Sequence, residues 1–504
     1  MKKLLTLLFC MAASLTTMAE NNHTPRTIVV QPGESLHDAL RQAREWRRTQ
    51  DACCQGGITI RIKAGRYRMQ EPLFLRPEDS GTADSPTIIV GEEGAVICGD
   101  ARQQHTQVWP KEGMERILAF DTKTRTITIP AFDSLWVPPP HLEMVVHQRW
   151  AIAILRVKEM KQKDGKIVVS FMEPESRLEF EHPWPQPVID GERGNSSFLL
   201  RTTEQRDGIE QLVIVDGANH ISFQGLTFEH TCWNRPLHKG HVTLQGGFPL
   251  IDAYKLAVPG LPWDKDLENQ AWIERPVSAV TIRNAENVMV SKCRFQHLAA
   301  TALDLQDNTR HCSVVNNHFE DIGGTAIMAG SFAESPREVH RPYDDLAGRC
   351  QDIDISGNEI HDATNEDWGT VAISCGYVSD TRIMHNTVSH VNYSGICVGW
   401  GWTPCHTGME RNRIDKNKVS DYARQLYDAG GIYTLSNQPG SFISDNDISQ
   451  PYPAPYATNN RGFCIYLDAH TDGFTIENNI TEGRLIRRDE IGDNHPGPSL
   501  IFKQ

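Results

Sequence analysis

One asparagine recurs through the second half of this chain inside a fixed frame: an apolar residue, the asparagine three positions later, and a second apolar residue two beyond that. The frame reads Val314/Asn317/Phe319, Ile355/Asn358/Ile360, Ile383/Asn386/Val388, Ile414/Asn417/Val419 and Ile443/Asn446/Ile448. Phe223/Leu226/Phe228 and Val290/Cys293/Phe295 are earlier copies without the asparagine. From Asn317 the asparagines follow one another at 41, 28, 31 and 29 residues, which is one turn of a large coil plus a variable loop. Strands this short cannot bury a face alone and become stable only by stacking on their copies. The sequence therefore predicts an all-β chain, a right-handed parallel β-helix over about residues 221–480. An asparagine amide can donate to and accept from copies at the ~4.8 Å rung spacing and tolerates the left-handed backbone of a tight corner, so these residues read as scaffold. FTIENNIT offers either Asn478 or Asn479 as the next copy.

A second repeat lies in residues 421–468, where the short strands GIYT and CIYL are each followed by the next β segment after eleven residues, Ile432 to Ile443 and Ile465 to Ile476. If the isoleucines point inward, alternation sends Tyr433 and Tyr466 outward. Asp428 precedes the first strand and Asp468 follows the second. Aligning the strands through their isoleucines offsets the aspartates by seven residues, over ~20 Å in an extended chain, unless Ala429-Gly430-Gly431 bends sharply. Matching LYDA to YLDA instead stacks them one rung apart. Two carboxylates flanking a sugar are the machinery of glycoside hydrolysis, and their spacing decides retention or inversion. Asp428 and Asp468 are thus the candidate catalytic pair, with Glu366, Asp367 and Glu410 as substitutes if the two lie far apart. Tyr433, Tyr466, Trp368, Trp400, Trp402 and His470 are candidate substrate-binding residues, the aromatics either stacking on sugar rings or forming a plain surface ladder.

The run LYDAGGIYT, the Gln438-Pro439-Gly440 after it and the IYLD ending at Asp468 resemble the signature of glycoside hydrolase family 141. That family is similar to the family 120 β-xylosidases, which combine a β-helix with a small β-sandwich. The resemblance implies a pectate-lyase-like solenoid with an inserted lobe, α-L-fucosidase or xylanase activity, and two catalytic aspartates, Asp428 as nucleophile and Asp468 as acid/base.

The remaining chain fits this organisation. Lys2 and Lys3, a short apolar stretch and Thr17-Met18-Ala19 read as a signal peptide over residues 1–19, cleaved after Ala19, which predicts a periplasmic or secreted protein. Residues 20–107 read as an N-terminal cap, a helix beginning near Ser35, and the first rungs. Residues 108–215 lose the repeat and show antiparallel signals, predicting a β-sandwich-like lobe. Residues 216–504 are the main coil, with long loops in the 226–293 interval (Trp233, Trp263, Trp272) and the 317–358 interval (Glu334, Tyr343, Asp344). The net charge of −14, or −16 once Lys2 and Lys3 leave, argues against nucleic acid or anionic lipid as partner. No other segment is long enough to insert in a membrane. Cysteine spacing fits neither a zinc site nor a disulfide framework, and Cys375, Cys397 and Cys464 read as core residues. No cofactor or metal is expected, and the chain is expected to act as a monomer on a polysaccharide or oligosaccharide. Two competitors remain: a polysaccharide lyase, whose basic groove would have to come from Arg411, Arg413, Lys416 and Lys418, and a non-catalytic glycan-binding solenoid.

Overall fold

The computed structural model describes residues 25–49, 54–99, 104–132, 137–181, 185–204, 208–252, 272–334, 337–338, 348–404, 406–458 and 462–503. The expected signal peptide, Trp263, Tyr343, Asp344 and the Glu334 side chain lie outside the described residues.

Three long sheets of 12, 11 and 10 strands, among the described residues, make a parallel β-helix, the one antiparallel pair in them being Ile480–Thr481 with Arg484–Leu485 at the end of the second. Each turn of the chain gives a short strand to each sheet, for example Arg413–Asp415 to the first, Lys418–Ser420 to the second and Ala429–Thr434 to the third. Ile414, Val419 and Ile432 point inward and are fully buried, in a core that continues from Ile28 to Ile491. At the start of the coil, Ser35 caps the helix Leu36–Arg48, which lays Leu36, Ala39, Leu40 and Ala43 into that core. Arg44 holds the buried Asp79 through two hydrogen bonds of 2.9 and 2.7 Å, fastening the helix to the first rungs.

The asparagines form one continuous ladder at the corner between the first and second sheets. Each side-chain amide donates to the next carbonyl oxygen: Asn317 to Asn358 at 3.0 Å, Asn358 to Asn386 at 2.9 Å, Asn386 to Asn417 and Asn417 to Asn446 at 3.0 Å, Asn446 to Asn479 at 2.8 Å. Asn479, not Asn478, is therefore the next copy. The left-handed backbone falls one residue earlier than the sequence suggests, on Asn316, Gly357, His385, Lys416, Asp445 and Asn478, with φ between 54° and 67°. This frees the ladder asparagine to keep ordinary backbone angles while its own N–H also donates to the next Oδ1, as from Asn417 to Asn446 at 2.9 Å.

The inserted lobe is an antiparallel sheet from Gln104–Trp109 to Ser197–Glu204. Its twelve-residue strand Ile152–Lys163 serves both halves and slips register between Val157 and Glu159. Apolar side chains of both halves, among them Ile127, Val169, Met144 and Leu200, join one buried cluster. The first described strand of the lobe is Gln104–Trp109, and the coil strand Val213–Asp216 pairs with Leu73–Leu75 in the third sheet. The asparagine frame marks only the first-to-second corner, so a strand of the third sheet escapes it. Where lobe meets coil, Glu366 bridges His105 at 3.0 Å and Arg201 at 3.1 Å. Burial alone would raise the Glu366 carboxyl, but these two partners outweigh it and hold it at about 2. Burial pushes the Cys375, Cys397 and Cys464 thiols up.

Candidate functional site

Alternation along the third sheet does send Tyr433 and Tyr466 to its outer face, where they leave the main core and cluster with Leu435. The strands pair Ile432 with Ile465 and Tyr433 with Tyr466, so the isoleucine alignment holds and the LYDA/YLDA match does not. The two rings stand edge to face with centroids 5.2 Å apart. The chain doubles back sharply ahead of Ile432: a side chain on Gly430 would meet Ile432 O at 2.5 Å and Tyr466 N at 3.0 Å, although Gly430 pairs with Phe463. Only glycine fits that approach. Asp428 itself is left-handed at φ 64°.

This bend lets Tyr466, five positions beyond the Asp428 level, donate its hydroxyl to Asp428 Oδ1 at 3.2 Å. Tyr433 in turn donates to Asp468 Oδ2, and Asn494 Nδ2 donates to Asp468 Oδ1 at 2.8 Å. Asp468 is buried and Asp428 half-buried. Each aspartate thus touches one member of the tyrosine pair, and each tyrosine serves the aspartate of the other strand.

Two segments from far away in sequence hold this cluster. Gln245 donates to Tyr393 Oη at 2.7 Å and to Tyr433 Oη at 2.9 Å. With Gln245 donating to both phenol oxygens, the phenol protons are directed away from it, Tyr433 toward Asp468 and Tyr393 toward the Asp428 main-chain oxygen at 3.0 Å. Burial first, and then the charges of both aspartates, push the Tyr433 and Tyr393 phenols well above their ordinary value, which keeps them donors. The lobe supplies the second support. His147 Nε2 donates to Gln425 O at 2.6 Å, its ring stacks 6.4 Å from that of Tyr427, and Tyr427 N donates to Arg149 O at 3.3 Å. Burial pushes His147 down to about 4, so a neutral imidazole braces the loop that carries Asp428.

The other sequence candidates fall into three groups. Trp402 packs beside Tyr433, Leu435 and Tyr466, and His470 lies two residues past Asp468, half-buried. Trp368 is half-buried on the turn entering an earlier rung, donating to Asn365 O at 3.3 Å. Trp400 corrects the expectation of a stacking platform: it is 2% exposed, enclosed by Phe248 and Phe332, and so supports the wall without offering a face. Of the substitute acids, Glu366 is committed to His105 and Arg201, Asp367 to His241 at 2.7 Å, and Glu410 to Arg411. Arg413 lies on the first sheet and Lys418 on the second, on either side of the Asn417 corner, away from the third-sheet aspartates. Gln245, Tyr393, Asn494 and His147 were not singled out by sequence reasoning. Only Gln245 left a trace, as part of the unusually long 226–293 interval. Among the described residues, no group of three or more His, Cys, Asp or Glu is placed to hold a metal ion.

Residues 99–206, the inserted lobe, match the family model described as the GH141 insertion domain. A solved structure described as a glycoside hydrolase is similar over 95% of this chain and 96% of its own, at 32% identity and a TM-score of 0.86. More distant likenesses include an alginate lyase from Paenibacillus sp. (11% identity, 94% and 99% of the two chains, TM-score 0.40) and an exopolygalacturonase from Thermotoga maritima (11%, 95% and 92%, TM-score 0.39). No curated protein sequence matches this one.

Proposed function

We propose, from the premise that this chain belongs to glycoside hydrolase family 141 and is a glycosidase, that Asp428 and Asp468 are its catalytic pair in a retaining mechanism. The observation that carries this reading is the shared tyrosine pair, which ties both carboxylates into one hydrogen-bonded cluster on the outer face of the coil. In the first step Asp428 attacks the anomeric carbon and the C–O bond to the leaving group breaks as Asp468 protonates the departing oxygen. In the second, Asp468 takes a proton from water, which displaces Asp428 from the sugar. The Tyr433 and Asn494 donors fix the direction of Asp468, and Tyr466 fixes that of Asp428. The assignment of the two roles follows the family resemblance. The substrate we infer is a fucoside or xyloside linkage in a complex, plant cell-wall type polysaccharide or its oligosaccharides, met outside the cytoplasm after export of the enzyme.

The test is chemical rescue. Asp428→Gly should lose turnover on aryl glycosides and regain it with azide as a glycosyl azide of inverted configuration. Asp468→Gly should keep most of its kcat/KM on dinitrophenyl glycosides, whose leaving group needs no proton, while its slowed second step is relieved by azide, giving azide product of retained configuration. Rescue in the opposite sense exchanges the roles, and rescue of neither variant removes the pair.

A further inference from the structure

The described arginines of the inserted lobe divide into two sets. Arg125, Arg156, Arg177 and Arg201 are paired, with Glu173, Glu175, Asp252 and Glu143. Arg116, Arg149 and Arg193 form no ion pair with a carboxylate among the described residues, and all three converge on the segments packed beside Asp428. The Arg149 main-chain oxygen accepts from Tyr427 N at 3.3 Å, Arg193 N donates to Thr458 O at 3.3 Å, and Arg116 Nη1 donates to Tyr456 O at 3.0 Å. The Tyr427 and Thr458 hydroxyls are bonded to each other, which ties these contacts together. Arg149 and Arg193 are exposed and Arg116 is half-buried, so solvent and a dissolved ligand can reach the cluster.

The positive charge there is not cancelled from within. Glu115 turns Oε1 to the Arg116 main-chain N–H at 2.9 Å, and the exposed Glu192 pairs with none of the three. Burial and then the charge of Arg193 push the Arg116 guanidinium down, and the attraction of Glu115 is the smaller effect. Burial likewise pushes the Tyr427 phenol up, its hydrogen bond with Thr458 and the Arg149 guanidinium pull it down, and Asp428 pushes it up again. One phenol therefore lies within the fields of both an unpaired guanidinium and the candidate nucleophile. Like charges held together without a counter-charge repel, in a chain whose formal net charge is −14. An anion from outside relieves that repulsion, and a guanidinium fork matches the two oxygens of a carboxylate. A carboxylate on the ring being cleaved would face Asp428 and Asp468 and be repelled. On the neighbouring residue of the same saccharide it would meet the arginines instead.

We infer that Arg116, Arg149 and Arg193 form an anion-binding rim for the carboxylate of a uronic acid residue that flanks the sugar cleaved by Asp428 and Asp468. The inference rests on the glycosidase reading for where the saccharide lies, but its test needs no turnover. Full-length Asp468→Asn protein is titrated calorimetrically with a glucuronic-acid-bearing xylo-oligosaccharide and with trigalacturonate, each beside its carboxyl-reduced counterpart. In at least one pair the acid should bind roughly tenfold more tightly, and added salt should shrink the difference. The double variant Arg149→Gln/Arg193→Gln keeps the main-chain contacts and should bring the acid and its reduced form to the same affinity at an unchanged melting midpoint. Arg177→Gln, which removes an arginine already paired in the same lobe, should leave the preference as it was. Indifference to the carboxylate in both pairs, or a preference that survives the double variant, would overturn the rim. Tighter binding of a sulfated xylo-oligosaccharide than of either acid would overturn the uronate. Failure of the unsubstituted enzyme to cleave any glycoside would remove the catalytic reading while leaving an arginine-dependent preference intact.

Discussion

The asparagine corner and the tyrosine edge are built by the same turns of one coil, yet they satisfy buried polar groups in opposite ways. At the corner every amide finds its partner in a copy of itself one rung away, from Asn317 through Asn479. At the edge no copy suffices. Asp428, Asp468 and the tyrosines between them depend on Gln245 from a strap, His147 from the inserted lobe and Asn494 from near the end of the chain. Self-complementarity by translation gives stability without reactivity, because each group is already saturated by its neighbours. A polar cluster that differs from rung to rung can leave carboxylates oriented but open to a substrate, and locally irregular structure of this kind is expected at functional sites.

The largest effect should follow from removing charge at the edge. Asp428→Asn and Asp468→Asn should each lower turnover on substrates with poor leaving groups by roughly 10³-fold or more, while the unfolding midpoint moves little, because an amide keeps the carboxylate's volume. Kinetics paired with calorimetry decide it. A substitution that lowers the midpoint as much as the activity would turn the edge into a second scaffold and erase the contrast. In a ligand-bound crystal structure, the two carboxylates should lie about 5 to 5.5 Å apart, as retention requires.

The next largest effect belongs to the corner and should have the opposite signature. Asn417→Ala removes one of the two acceptors of the Asn386 side-chain amide, the acceptor of the Asn386 backbone N–H and a donor to the Ile383 carbonyl, all buried. At ~1 kcal/mol or more for each lost partner, destabilisation of about 2 to 4 kcal/mol is expected. Turnover per folded molecule should stay within about twofold. A large loss of activity in protein that remains folded would mean that the ladder also transmits position to the site.

Gln245→Leu should act more mildly and sharpen the contrast from the side of the edge. It leaves Tyr433 free to turn its hydroxyl away from Asp468, so a tenfold or somewhat larger loss in kcat is expected, with a shift in the pH profile and a small change in stability. Gln245→Glu, which retains an acceptor but loses the donor, should not restore activity. Unchanged kcat would make the strap a purely structural tie.

These differences also explain what was legible in the sequence. The ladder was readable because each member repeats its own local frame, and even its one error, the placement of the left-handed residue, is a shift of one position repeated at every rung. The outward tyrosines and the register of the strands beside Asp428 and Asp468 were readable because they sit on the repeat itself. Trp400 was misjudged because alternation gives the face of a residue but not what covers it; Phe248 and Phe332 arrive from segments with no periodic relation to it. Gln245, Tyr393, Asn494 and His147 act through tertiary contacts over tens to hundreds of positions, for which a single sequence carries no spacing. A bend at Ala429-Gly430-Gly431 was suggested by geometry alone, since two aspartates seven residues out of step could not otherwise come close to each other, and the crowding at Gly430 is what the structure shows there.

The smallest expected effect concerns the lobe, which braces the edge through two buried groups that titrate oppositely. Burial pushes Glu179 up to about 8, opposed by the hydrogen bond from Gln148 at 2.6 Å, so the folded protein keeps it protonated while the unfolded chain ionises near 4.5. Stability from this group is complete below 4.5 and is lost as pH rises toward 8. His147 is pushed down to about 4 from 6.5, so its contribution is complete above 6.5 and is lost as pH falls toward 4. Each pH unit inside either window is worth at most ~1.4 kcal/mol. Between 4.5 and 6.5 the two slopes oppose each other, so thermal stability should be flat there, falling by a few degrees by pH 8 and falling again near pH 4. Glu179→Gln should flatten the alkaline side and leave the His147 slope unopposed between 4.5 and 6.5, so that stability rises with pH there. On the acid side, protonating His147 buries a charge beside Arg116 in the group that braces Gln425, three residues before Asp428, so activity should fall together with stability. His147→Gln, which keeps a donor and cannot titrate in this range, should separate the acid loss from the ionisation of the aspartates themselves. If both limbs persist in the two variants, the lobe is no brace, and the edge is held by the strap and the coil alone.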